Sequence, residues 1–252
     1  MSASTQRAGA PTRVAVIGAR GKMGRLACEW IEAASGFQLV ASMVRGDDLG
    51  VILRQSQSEV ALDFTRAGLG AVHGHTILEA GVRAVIGTSG LNQSELESLR
   101  VLAQERRSAC LVVPNFCLGI AIQQACARLA VRCFGDQDSE LTVGIREQHH
   151  PQKLDSPSGT SLWTAAILEA DGVPSVGIES ERKEGVIARQ SVVLTMGAER
   201  LVLDHQVESR EAFRPGILLA LAHVGRMSGL EVGLESAFEG HLDGAGDESL
   251  IP

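Results

Sequence analysis

Between residues 147 and 160 the chain reads Glu-Gln-His-His-Pro-Gln-Lys-Leu-Asp-Ser-Pro-Ser-Gly-Thr, directly before a stretch suited to a helix. A histidine gives up a proton near neutral pH, and a lysine ammonium holds or polarises an anion. The amides of a Ser-Gly-Thr helix start are unsatisfied donors at the positive end of the helix dipole and favour a carboxylate. His149, His150, Lys153, Ser158, Gly159 and Thr160 therefore describe a pocket for a small dicarboxylate whose reacting carbon must be protonated. Each residue also has a plainer reading: a solvated or satisfied histidine, and an ordinary helix cap for Ser158 or Thr160. Zinc is the weaker use. Adjacent side chains on extended backbone point opposite ways, and no H-E-x-x-H or similar spacing supplies further ligands.

A second constellation lies near the start. The β-branched run Arg13 to Ile17 leads into Gly18-Ala19-Arg20-Gly21-Lys22-Met23-Gly24, a G-x-x-G-x-x-G turn. Such a turn between a strand and a helix lets backbone N–H groups approach a pyrophosphate. The competing reading is a tight structural turn. In NAD sites an acidic residue at the end of the next strand accepts from the ribose 2′-OH. Here Val44 holds that place and Arg45 follows. A guanidinium without a carboxylate competitor suits a 2′-phosphate, so NADPH is the preferred cofactor, with NADH as the alternative. A solvated surface charge is the other use of Arg45.

These groups need a scaffold. Met23, Leu26, Ala27, Trp30, Ile31 and Ala34 form the apolar stripe of a helix packed on a sheet. Strands are expected at Phe37 to Val44, Glu59 to Phe64, Val82 to Ile86 and Leu111 to Val113. A capping box, Asn92 to Glu95, opens a helix in between. The alternation implies a Rossmann-type parallel sheet wrapped by helices. After Pro114 the pattern changes. Helices are expected over Leu118 to Val131, Thr160 to Ala170 and Pro215 to Met227, and strands over Glu140 to Arg146, Ser191 to Met196 and Arg200 to Val207. The last two flank a turn at Gly197 as a hairpin would. The fold class is thus α/β: a Rossmann-type nucleotide domain, followed from near residue 118 by a smaller α+β domain with a mixed sheet.

Composition narrows the function. The 252 residues are 44% apolar and 21% charged, enough for a substantial core. The net charge of −7 comes without a Lys/Arg stripe, so nucleic acid is not an expected partner. No apolar run reaches the ~18 to 20 residues of a membrane span, and the N-terminus does not read as a secretory signal, so a cytoplasmic setting is expected. The 5 cysteines lack close metal or redox spacing and are read as reduced and mostly buried.

Glu147 to Thr160 resembles the E-x-H-H-x-x-K-x-D-x-P-S-G-T signature of the dihydrodipicolinate reductase family. Val16 to Arg25 resembles that family's glycine-rich opening, Leu62 to Thr65 its D-F-T strand end, Gly87 to Leu91 its G-T-T-G loop, and Pro114 to Gly119 its P-N-F-S-x-G hinge. The resemblance implies that His149 is the proton donor and that Lys153 assists it and binds substrate. It implies that His150, Ser158, Gly159 and Thr160 hold the substrate carboxylates. Gly18, Arg20, Gly21, Lys22, Met23, Arg45, Gly87 and Thr88 would line the cofactor site, with Asp63, Phe64, Thr65, Asn115 and Phe116 nearby. The implied reaction passes a hydride from NAD(P)H to a cyclic imine, giving tetrahydrodipicolinate in diaminopimelate and lysine biosynthesis. The implied architecture gives residues 1–117 and 229–252 to the nucleotide domain and 118–228 to a substrate-binding and oligomerisation domain, and the implied assembly is a homotetramer built through the second sheet, with hinges near 118 and 228. Two rival functions remain: a reductase of another small imine or carbonyl, and a catalytically silent dinucleotide-binding protein.

Overall fold

The computed structural model describes residues 10–88, 90–135 and 141–238. The chain forms two compact units: one ends at Val112 and takes in Leu221–Glu231, and the other is Val113–Ala220, resuming at Val232. The sequence reading set these boundaries at 117/118 and 228/229.

In the first unit, strands alternate with helices: β1 (Thr12–Ile17), α1 (Lys22–Glu32), β2 (Phe37–Met43), α2 (Leu49–Gln55), β3 (Val60–Asp63), α3 (Gly70–Glu79), β4 (Arg83–Ile86), α4 (Gln93–Glu105) and β5 (Ala109–Val112). β1 pairs parallel with β2 and β3, and the parallel pairing continues from β3 to β4 to β5. Val14, Val16, Leu62, Val85 and Leu111 are fully buried alongside their neighbours Ala15, Ala61, Ala84 and Cys110. Continuous rather than alternating burial is what helices on both faces of a parallel sheet produce.

The expected capping box forms: Asn92 Oδ1 accepts from Glu95 N–H at 3.0 Å and Glu95 Oε2 accepts from Asn92 N–H at 2.8 Å. Two helices escaped the sequence reading. α2 has only 7 residues, too few for a stripe, and its visible signal is the Asp48 cap, whose Oδ1 accepts from Val51 N–H. α3 carries Gly70 and Gly74, which lower intrinsic propensity, yet packing that buries Ile77 and Leu78 overrides it.

The second unit holds α5 (Leu118–Gly135), β6 (Leu141–His149), α6 (Gly159–Ala170), β7 (Val176–Arg182), β8 (Ala188–Met196), β9 (Glu199–Val207) and α7 (Arg214–Val224), and α7 runs on past its Ala220 limit. Its sheet runs β7-β6-β8-β9, with β6 parallel to β7 and antiparallel to β8, and β8 antiparallel to β9. This is the expected mixed sheet, with the hairpin closing at Gly197 and Ala198 between paired Met196 and Glu199. Glu140, read as the start of β6, lies outside the described residues. β7 went unread because its exposed glutamates break the apolar pattern. Ala127 and Val131 of α5, Ala165 and Leu168 of α6, and Val143, Ile145, Val192 and Leu194 of the sheet form its core. β10 (Gly229–Val232) then joins the first sheet beside β5, giving the order β10-β5-β4-β3-β1-β2.

Candidate active site

In the first unit the carboxyl ends of neighbouring parallel strands carry the turns, the place where open α/β sheets bind ligands. Gly18 follows β1 at φ +82°, and a Cβ there would stand 2.7 Å from the Phe64 carbonyl oxygen. Only glycine combines that backbone with that approach. Around this turn lies a cavity of about 540 Å³ whose wall includes Gly18, Gly21, Arg20, Arg45, Phe64, Thr65 and Arg66. Three guanidinium groups and the amides of a glycine turn fit an anionic dinucleotide.

The remaining nucleotide candidates of this unit sit behind or beside that wall. Lys22 and Met23 begin α1. Asp63, fully buried at the end of β3, accepts from Thr65 N–H at 2.8 Å and pairs with His73 Nδ1 at 3.0 Å. Gly87 N–H donates to the Asp63 carbonyl, and Thr88 is buried with no hydrogen-bond partner for Oγ1 among the described residues. His73 itself lines the cavity and was missed; its pairing with a buried aspartate ten residues away leaves no local signal. The premise that Arg45 has no carboxylate competitor needs correction. Asp47 shares the same wall, with Oδ2 accepting from Val44 N–H at 2.7 Å.

In the second unit, β6 delivers Glu147 and His149 to one face, two residues apart on an extended strand. The Glu147 side chain is fully buried. Its Oε1 accepts from Ser158 N–H at 2.9 Å and from Ser180 Oγ at 2.8 Å, and its Oε2 accepts from Ser161 Oγ. Burial alone would raise its pKa, but the hydrogen bonds from Ser158, Ser161 and Ser180 outweigh burial and hold the carboxyl below its usual range. His149 is about seven-eighths buried. Its Nδ1 is buried without a hydrogen-bond partner among the described residues, 4.0 Å from Glu147 Oε2. Burial lowers the His149 pKa; Glu147 and Asp155 oppose that, while Lys153 and Arg182 reinforce it.

The loop after β6 is pinned from β7. Arg182 Nε donates to the Lys153 carbonyl at 3.1 Å, and its Nη2 donates to the Asp155 carbonyl. Lys153 Nζ lies 2.8 Å from the Asp155 carboxylate. Although burial works against it, that carboxyl is held below its usual range by the hydrogen bond and charge of Lys153 and by the Gly159 amide. His150 closes the turn, its carbonyl accepting from Lys153 N–H.

Ser158 behaves as the cap of α6. Its Oγ accepts from Ser161 N–H at 3.1 Å, its own N–H is committed to Glu147, and it is 2% exposed. The amides of Gly159 and Thr160 follow in the first turn of α6. Asn115 Nδ2 donates to Thr160 Oγ1 at 3.1 Å, and Phe116 beside it is buried, so these two nucleotide candidates belong to the second unit. The sequence reading overlooked Glu147, Asp155 and Arg182 as site residues. The E-x-H and K-x-D spacings were the available signals for the first two.

The cysteine reading is also corrected in part. Cys110 and Cys117 are buried, and burial pushes each thiol up to about 12, but Cys126 and Cys133 are exposed on α5 and Cys28 is intermediate. Among the described residues no three His, Cys, Asp or Glu side chains converge as metal ligands, and no helix is long and apolar enough to cross a membrane.

Residues 12–116 match the N-terminal and 119–236 the C-terminal dihydrodipicolinate reductase family models. The chain belongs to the dihydrodipicolinate reductase family. The 4-hydroxy-tetrahydrodipicolinate reductase of Legionella pneumophila (strain Corby) is 36% identical over 244 residues, covering 89% of this chain and 98% of that one. The enzyme of the same name from Nocardia farcinica (strain IFM 10152) is 33% identical over 247 residues, 88% and 97% of the two chains. A dipicolinate-bound dihydrodipicolinate reductase from Paenisporosarcina sp. TG-14 superimposes with a TM-score of 0.75 at 27% identity, over 90% of this chain and 99% of its own. This family member is an oxidoreductase on a dinucleotide-binding fold.

Proposed function

We propose that the protein reduces 4-hydroxy-tetrahydrodipicolinate (dihydrodipicolinate) to tetrahydrodipicolinate in diaminopimelate and lysine biosynthesis, with NADPH as preferred reductant and NADH as a second. One observation carries this reading: a mostly buried imidazole, a lysine ammonium and the opening amides of α6 stand together at the end of β6. The cofactor supplies the hydride.

The protein's residues do the rest. His149 gives the proton, through Nε2, because Nδ1 is turned toward Glu147. Lys153, His150 and the amides of Gly159 and Thr160 hold the substrate carboxylates. Ser158 keeps those amides aimed by capping the helix. Asp155 already takes Lys153 Nζ and the Gly159 amide, so an incoming carboxylate exchanges for one of like charge. In the first unit Gly18, Gly21 and Arg20 would hold the pyrophosphate and Arg45 the 2′-phosphate. Lys22, Met23, Asp63, Phe64, Thr65, Gly87 and Thr88 shape the surrounding turns, and Asn115 and Phe116 carry the same cofactor assignment. The same reading gives residues 1–117 and 229–252 to the nucleotide and 118–228 to the substrate, and it includes a cytoplasmic homotetramer built through the second sheet.

The test is an assay coupled to the synthase that condenses pyruvate with aspartate semialdehyde, following loss of NADPH absorbance. Turnover is expected, and His149→Gln lowers kcat by roughly 10²-fold or more. Reduction only of imines lacking a second carboxylate would favour the rival reductase. NADPH binding without reduction of any such substrate would leave a silent binding protein.

A further inference from the structure

We propose that the buried carboxylate of Glu147 is a positioning residue for the reaction: it is the counter-charge that keeps a proton on His149 and also the anchor that fixes the start of α6 against β6. The proposal rests on the reading of His149 as proton donor. A general acid must carry its proton when substrate arrives, and the surroundings of His149 work against that. The ring is mostly buried, and two cations face it, Lys153 from the loop and Arg182 from β7. Two carboxylates face it in return. Asp155 is half-exposed and already bound to Lys153, whereas Glu147 is wholly buried and, among the described residues, has no lysine or arginine partner. Its three hydrogen bonds come from serine hydroxyls and an amide, which stabilise its charge without cancelling it. The field that remains is directed at the nearest cation site, His149 Nδ1, 4.0 Å away with no hydrogen bond of its own. The Ser158 amide on the same carboxylate ties this charge to the helix that presents Gly159 and Thr160. One buried group thus couples the proton donor to the anion cradle.

The experiment is an NMR titration of 13C-labelled histidine in the full chain without substrate, with His149 assigned from the His149→Gln spectrum, alongside the pH profile of kcat/KM. An opposite charge at this range moves a pKa by about 1 to 3 units. Glu147→Gln therefore lowers the His149 titration by about one unit or more, and the limb where activity falls as pH rises moves to lower pH by the same amount. Ser161→Ala removes one hydrogen bond but keeps the charge, and shifts the titration far less. Where Glu147→Gln does not fold, Glu147→Asp, which withdraws the charge by one carbon–carbon bond, shifts it in the same direction by less. An unshifted His149 titration in a folded Glu147 variant, or equal shifts in Glu147→Gln and Ser161→Ala, overturns the proposal. A shifted titration with a stationary activity limb supports the coupling and instead removes His149 from the role of acid.

Discussion

Gly24→Ala sets two effects of opposite sign against each other. Gly24 lies in the first turn of α1, and alanine is the better helix former there by about 1 kcal/mol. A Cβ at that position, however, would stand 2.2 Å from the Gly18 carbonyl oxygen, 2.8 Å from its carbon and 2.9 Å from Ala19 Cα. The first of these is short by about 1.2 Å of the 3.4 Å at which ordinary contact begins. Every clashing atom is backbone of the glycine turn, so no side chain can swing aside. The start of α1 must withdraw from the turn by about 1 Å, and overpacking of this kind costs about 1 to 3 kcal/mol. With backbone on both sides the upper part of that range applies, and the net loss is about 1 to 2 kcal/mol. The same displacement separates the turn from the helix end that would face a pyrophosphate, where 1.4 kcal/mol corresponds to about tenfold in affinity. We expect a lower Tm and an NADPH Kd raised by about tenfold or more, read by thermal unfolding and by nucleotide fluorescence titration. A variant that binds NADPH as tightly as the wild type, with Tm unchanged or raised, would refute the packing argument.

Arg45→Ala removes one of three arginines from the cavity wall and leaves Asp47 there. The NADPH Kd should rise by about tenfold or more, the scale of a charge-assisted pair, with NADH nearly unaffected; equal losses for both cofactors would take Arg45 away from the 2′-phosphate. Lys153→Ala removes the ammonium beside Asp155. KM for the dicarboxylate should rise by about tenfold or more with the NADPH Kd nearly constant, and a weakened NADPH complex would contradict the assignment.

The first unit was legible because its signals are local. The β1 run, the glycine turn and the stripe from Met23 to Ala34 are contiguous, and the Asn92–Glu95 box closes within one helical turn. α3 was hidden because its two glycines argue against a helix that burial then enforces. The candidate anion cradle at the start of α6 was legible as composition but not as wiring. Nothing local says that the Ser158 amide is already committed, because its acceptor lies eleven residues back on another element.

Wiring of that kind depends on strand register, which no short window contains. Glu147 is a buried hub because β6 sets it beside Ser180 of β7 on one side and Gln190 of β8 on the other. Ser180 reaches its carboxylate directly, and Gln190 Oε1 lies 2.8 Å from Ser161 Oγ, which reaches it from α6. A slip of one residue in that pairing would turn Glu147 and His149 to the opposite face of the sheet together. The alternation of β6 places the two side chains on a common face, but of these residues around Glu147 only Ser158 and Ser161 are near in sequence, while Ser180 and Gln190 come from strands more than thirty residues away. The approach of His149 to the buried Glu147 carboxylate is therefore a property of the assembled sheet rather than of the Glu-x-His spacing alone.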